Sequence, residues 1–340
     1  MEKMKIAELA PVAMPVRPGD GDSIEQLVSL LTEELVGRGH DVTLFAVGGS
    51  ATSADLRSFY DQGYRDRDEI WDWRVPEMLN AAWAFEQADE FDIVHSHSYH
   101  FALPFTRFVS TPVVHTYHVQ LGPEVLEGFR RYPEAQLVAI SDFQRRELTG
   151  FDGVPVIHNG IDIDAFPFGA DGEYLAFLGR MIPSKGAAEA VRVARELDMP
   201  LVMAGPSTEW FEAEVLPAVD GNLIRYVGPI DPAGRNELLA GAAALLFPIT
   251  YPEPFGLVMV EAMACGTPIA AFGMGAVPEI VGQGIGGCWV APGERLGDAV
   301  ESAVQLDRRQ VRQSAVERFD FRRMVDAYEQ LYRQVAGEES

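Results

Sequence analysis

At 340 residues and 47% hydrophobic content the chain reads as soluble and globular, with room for two domains of ordinary size. A formal net charge of −24 argues against nucleic acid as a partner, which needs a basic surface, and against docking on anionic lipid. The two cysteines, Cys265 and Cys288, have no CxxC or histidine pattern, so disulfide and zinc readings are poor and a reducing cytoplasm fits.

No apolar run approaches the length of a membrane span. The first residues imitate a signal peptide, but Glu8, Pro11 and Pro15 break the stretch. Short apolar strands then alternate with helical periods. Strands are expected at 6–10, 42–47, 92–97, 112–118, 137–141 and 155–158. Between the first two, a helix at 24–36 carries Ile24, Leu27, Val28, Leu31 and Leu35 on one stripe, with Ser23 and Gln26 as its capping box. Trp71, Trp73 and Trp83 lie in an aromatic segment, where Trp83 and Phe85 fit helix packing better than sugar stacking.

The histidines all lie at or before His158. His95, His97 and His100 have metal-like spacing, yet no acidic or cysteine pattern completes a site. The metal is rejected, and His97 reads as structural or as facing an acceptor. His118 ends its strand, where a lone histidine is usually a hydrogen-bonded structural residue. The pairs Asp20/Asp22, Asp66/Asp68 and Asp162/Asp164 match a metal-binding Asp-x-Asp pattern. The last two read more simply as surface residues.

A second series of strands is expected at 174–178, 201–204, 224–227, 243–248, 268–272 and 288–290, followed by an amphipathic helix at 321–335. Two such series imply two doubly wound α/β domains joined near 160–170. The strand at 174–178 runs into Gly179-Arg180-Met181-Ile182-Pro183-Ser184-Lys185-Gly186. Arg180 and Lys185 would sit at a strand's carboxyl end beside a helix start, a plausible diphosphate clamp. Further on, Pro252-Glu253-Pro254-Phe255-Gly256-Leu257 opens an apolar helix that continues through Glu261 to Gly266. If that helix begins near Pro254, Glu261 lies about two turns inside it, roughly 12 Å along the axis from Glu253. Two carboxylates flanking a helix N-terminus suit a ligand with an anion in the middle and hydroxyls at both ends, as in a nucleotide diphosphate sugar.

These residues together resemble the retaining GT-B glycosyltransferases of glycosyltransferase family 4. The resemblance extends through Gly39-His40-Asp41-Val42, Phe91-Asp92-Ile93-Val94-His95, His158-Asn159-Gly160-Ile161-Asp162 and Gly273-Met274-Gly275-Ala276-Val277-Pro278-Glu279. It implies two Rossmann-like domains with a cleft between them: 1–160, acceptor-side, and 161–319, donor-binding, with the helix 320–336 packing back on the first. It further implies that Arg180 and Lys185 contact the donor diphosphate, Glu253 the sugar and Glu261 the ribose. Backbone amides of Phe255, Gly256 and Leu257 would meet phosphate and sugar, and His118 would lie beside donor sugar and acceptor. The family's usual glycine pair before the first helix is replaced by Asp22 and Ser23. Asp20, Asp22, Ser23 and His97 are therefore acceptor-side or loop candidates, with Asp22 either capping the helix or meeting the acceptor.

The expected activity is transfer of a hexosyl unit from a UDP- or GDP-sugar to a carbohydrate, lipid or small-molecule hydroxyl. Configuration is retained, and neither metal nor cofactor takes part. The alternatives are a nucleotide-sugar epimerase or hydrolase, or a non-catalytic nucleotide-sugar-binding protein. The base, the sugar and the acceptor are not legible in the sequence.

Overall fold

The computed structural model describes residues 3–19, 23–67 and 69–337. The chain divides into two compact units, one running to Gly160 and resuming at Phe321, the other spanning Ile161–Asp320. The first unit holds a parallel sheet of β1 (Lys5–Leu9), β2 (Asp41–Phe45), β3 (Asp55–Arg57), β4 (Ile93–Ser96), β5 (Val113–Thr116) and β6 (Gln136–Val138), in the order β3-β2-β1-β4-β5-β6. The second holds β7 (Tyr174–Leu178), β8 (Leu201–Ala204), β9 (Ile224–Tyr226), β10 (Ala242–Phe247), β11 (Ile269–Phe272) and β12 (Gly287–Val290), in the order β12-β11-β10-β7-β8-β9. Counted from its own first strand, each sheet has the same doubly wound order. The order reverses between β1 and β4 in one unit and between β7 and β10 in the other, and ligands of such sheets bind outside the carboxyl ends at that switch point.

The strands are short apolar runs because helices cover both faces of each sheet. β8 and β11, Leu-Val-Met-Ala and Ile-Ala-Ala-Phe, are buried at every position. In the second unit Leu175, Phe177, Met203 and Leu246 pack with Ala190, Val193 and Ala194 of the helix Ala187–Leu197. One strand breaks the pattern: Glu8 of β1 is fully buried between Ala7 and Leu9.

Several expectations need correction. β3 was not foreseen, since its Asp-Leu-Arg has only one apolar residue and lies at the sheet edge. The segment 155–158 makes only an isolated bridge, Ala139 to Val156. The first helix is Ser23–Gly37, so Ser23 is its first residue and not its cap. The helix expected from Pro254 is Leu257–Ala264, with Gly256 before it at φ +85°. A left-handed residue cannot belong to a right-handed helix, so Glu261 lies about one turn inside, not two. No described helix is long and apolar enough to cross a membrane.

The last helix, Phe321–Ala336, belongs to the first unit and buries Met324, Val325, Tyr328, Leu331 and Tyr332. Arg38, just past the first helix, ties the two together. It donates to Glu34 at 3.0 Å, Asp326 at 2.6 Å and Glu329 at 3.0 Å, and Glu329 is almost wholly buried. Arg38→Ala should cost about 1.5–3 kcal/mol of stability, because it leaves a buried carboxylate short of one charged donor. Urea denaturation measures it, and Arg38→Lys should recover only part, lacking the fork that reaches several acceptors.

Candidate functional site

In the second unit, β7 ends in Gly179-Arg180 and β10 runs on into the turn that carries Glu253. The two strands are neighbours, so both segments emerge at the switch point. There Lys185 Nζ donates to Glu253 Oε2 at 3.0 Å, and the Tyr251 hydroxyl donates to the same oxygen at 2.5 Å. The Lys185 ammonium also lies 5.0 Å from the centre of the Tyr251 ring. Burial, reinforced by the adjacent Glu253 carboxylate, pushes the Tyr251 phenol well above its usual range and fixes it as a donor. Arg180 is exposed, with its charge within electrostatic reach of Tyr251.

The backbone under Glu253 is held equally closely. Ala276 N–H donates to Glu253 O at 2.8 Å, and Gly275 has φ +60°. A Cβ on Gly275 would stand 2.4 Å from both the N and the O of Glu253, so any larger residue must displace that carboxylate's base. Phe255 is buried, and Gly256 and Leu257 enter the helix whose first-turn amides have no intrahelical acceptor.

Glu261 is buried on that helix and accepts from Arg235 at 3.0 Å. Burial raises the pKa of its carboxyl, and the guanidinium opposes that rise. Arg235 lies on Pro232–Ala240, with its charge 5.1 Å from the Phe166 ring. The sequence reading missed both Tyr251 and Arg235. Tyr251, two residues before Glu253, could have been noticed; Arg235 sits on a helix with no recognisable motif.

The first unit gathers a different set at its own switch point. Glu8 of β1 is in register with His95 of β4. Glu8 Oε2 lies 3.0 Å from His97 Nε2 and 3.4 Å from His95 Nδ1, and Glu8 Oε1 accepts from the Tyr332 hydroxyl at 3.0 Å. His97 Nδ1 is 2.9 Å from His118 Nε2, the two rings being stacked. His95 Nδ1 meets the Tyr332 hydroxyl at 2.6 Å and its Nε2 meets Thr116 Oγ1 at 2.8 Å. Burial alone would raise the Glu8 pKa, but His95 and His97 reverse this and hold it at about 2. Burial depresses His95 to about 4 and His118 well below the usual imidazole range, so both rings are neutral at pH 7.

Glu8, His95 and His97 thus bring three buried donor atoms within 4.8 Å of one another. This corrects the expectation that no acidic partner lies near those histidines; the partner is Glu8, distant in sequence, and His100 is exposed and outside the group. Each of the three donor atoms already has a hydrogen-bond partner, so the set is satisfied as a network. His118 Nδ1 is the exception: it is buried and has no protein partner. An unmet buried polar atom costs about 1–3 kcal/mol unless something else fills it.

Asp20 and Asp22 lie outside the described residues, as does Asp68, and Ser23 is exposed. Asp162 accepts from the Asp164 amide at 3.2 Å, capping the short helix Ile163–Ala165, a local structural role. Trp83 packs edge-on against Phe45 at 5.6 Å, and Trp71 is 97% exposed.

His115 of β5 is also buried, with Nε2 on Thr106 Oγ1 at 2.7 Å and a pKa depressed by burial to about 3. A depressed imidazole takes up a proton on unfolding, so its contribution to stability is complete above about pH 6.5 and is lost as pH falls towards 3. His115→Gln, which can keep the bond to Thr106, should therefore flatten the fall in stability between pH 6.5 and 4. Urea midpoints across that range, compared with the wild type, check this; identical slopes would contradict it.

Two family models match the chain. Glycosyltransferase Family 4 covers residues 24–165 and Glycosyl transferases group 1 covers residues 161–318. The phosphatidyl-myo-inositol mannosyltransferase of Mycobacterium tuberculosis is 27% identical, over 98% of each chain. The D-inositol 3-phosphate glycosyltransferase of Mycobacterium bovis is 28% identical, over 98% of this chain and 84% of that one. Among solved structures, AviGT4, a glycosyltransferase of avilamycin A biosynthesis, has a TM-score of 0.76 at 25% identity, with 99% of each chain covered. Anabaena HepE in complex with UDP and glucose has a TM-score of 0.71 at 19% identity, over 97% of this chain and all of that one. With both sheets in doubly wound order and the two models together spanning most of its length, the chain belongs to the GT-B glycosyltransferases of the family 4 type.

Proposed function

We propose that this glycosyltransferase moves a hexosyl unit from a nucleotide diphosphate sugar to an acceptor hydroxyl, with retention at the anomeric carbon and without a metal ion. The observation that carries the reading is the contact of Lys185 with Glu253 beside Arg180, next to the start of the helix Leu257–Ala264. Cations and helix amides suit a diphosphate, and Glu253 and Glu261 suit hydroxyls on either side of it. HepE, which shares the fold, has been solved with UDP-glucose, and the named relatives transfer sugars to inositol-containing acceptors. These support the donor class and a hydroxyl acceptor.

In this reading the bond from the anomeric carbon to the diphosphate oxygen breaks as the acceptor oxygen bonds to that carbon on the same face. The acceptor's proton passes to the departing phosphate oxygen. Arg180 and Lys185 stabilise the charge that grows on the leaving group, the task a metal performs elsewhere. Glu253, held by Lys185 and Tyr251, fixes sugar hydroxyls. Glu261, held by Arg235, takes the ribose. His118 offers its ring to a hydroxyl of the reacting sugars.

Mass spectrometry of products from a panel of UDP- and GDP-hexoses incubated with candidate acceptors tests the activity, and NMR of the product tests retention. Free sugar without acceptor, or an epimerised donor, would favour the alternatives. Glu253→Gln should lower turnover about 10- to 100-fold, the loss of one charge-assisted hydrogen bond, while nucleotide diphosphate still binds. Glu261→Ala should instead weaken the nucleotide by about 1.5–3 kcal/mol in calorimetry. Turnover should survive EDTA, and a strict Mg²⁺ requirement would overturn the cation-clamp reading.

A further inference from the structure

The hydrogen bonds around Glu8 run in one direction, and that direction leads to His118. An ionised carboxylate only accepts, so His97 Nε2, 3.0 Å from Glu8 Oε2, carries a hydrogen. A His97 ring that holds that single hydrogen has its lone pair on Nδ1. The atom 2.9 Å from that lone pair, His118 Nε2, is therefore the donor. A neutral His118 that donates from Nε2 has a bare Nδ1, and this is the buried atom with no protein partner.

The other branch closes without an open end. The Tyr328 hydroxyl lies 2.9 Å from Thr116 Oγ1, Thr116 lies 2.8 Å from His95 Nε2, and His95 Nδ1 lies 2.6 Å from the Tyr332 hydroxyl, which donates to Glu8 Oε1. Every hydrogen in that branch points towards Glu8, and every acceptor is used once. Within the network the one unmet position is a lone pair on His118. It follows β5, beside β4 in the sheet. An anion at that position would meet a lone pair with a carboxylate behind it and be repelled. A hydroxyl hydrogen is what the lone pair accepts.

We infer that Glu8 and His97 are positioning residues that lock His118 in its Nε2–H form, leaving the Nδ1 lone pair for a substrate hydroxyl. This rests on the transferase reading only for the identity of that hydroxyl. The lock itself is a property of the protein alone.

Two-bond ¹H–¹⁵N correlation spectra of histidine-labelled protein read the tautomer directly. Wild-type His118 should carry its hydrogen on Nε2 at pH 7. In His97→Phe and Glu8→Gln, His118 should lose that single form, and turnover should fall at least tenfold while calorimetric binding of UDP or GDP stays within twofold. A hydrogen on His118 Nδ1 in the wild type overturns the inference, whether or not transfer is ever detected. So does a folded variant that keeps both the tautomer and the turnover. Should Glu8→Gln fail to fold, His97→Phe and the wild-type spectrum still decide.

Discussion

Burying the Glu8 carboxylate in the middle of a sheet would cost several kcal/mol if it stood alone. It does not stand alone, and the means of satisfying it organise the first unit. Strand β4 contributes His95 and His97, and the last helix contributes Tyr332. The chain returns from residue 321 to deliver that tyrosine, with Tyr328 one helical turn earlier reaching Thr116. Removing any one donor leaves the charge short, so the last helix is chemically part of the sheet's carboxyl edge and not merely packed on the unit.

The second unit meets a similar demand with ion pairs. Glu253 is held by Lys185 and Glu261 by Arg235, each at 3.0 Å. Such pairs offset the desolvation of both partners and fix each side chain in one place before a ligand arrives. Preformed geometry of this kind lowers the entropy that binding must overcome. Gly275 shows how little room the arrangement leaves, since its missing side chain is the space that Glu253's own backbone occupies.

Much of this was legible in the sequence. The alternation of apolar strands with helical periods gave two doubly wound halves, because parallel strands covered on both faces must be apolar. Arg180, Lys185 and Glu253 stood out as charges at the ends of apolar elements, and Glu261 as a carboxylate inside an apolar helix. Glu8 did not stand out, although it interrupts Ile6-Ala7 and Leu9 and so violates the same rule. In the sequence it merely breaks an apolar run, while its burial depends on partners almost ninety and more than three hundred positions away. Contacts of that separation leave no local period. β3 escaped for a related reason, since an edge strand pairs on one side only and tolerates Asp55 and Arg57.

The two units share a topology, yet their sites use opposite chemistry, and the proposed ligands account for the difference. A diphosphate is recognised by net positive charge and by many amides, so the ammonium and guanidinium groups that follow β7 suffice. A hydroxyl is neutral and both gives and accepts, so charge alone cannot orient it. It needs a lone pair fixed in direction, and a single imidazole has two forms that present opposite ends. Anchoring a chain of rings to a carboxylate that can only accept removes that ambiguity at each link. The buried charge in the first unit, unfavourable for folding by itself, sets the polarity of every hydrogen bond between Glu8 and His118.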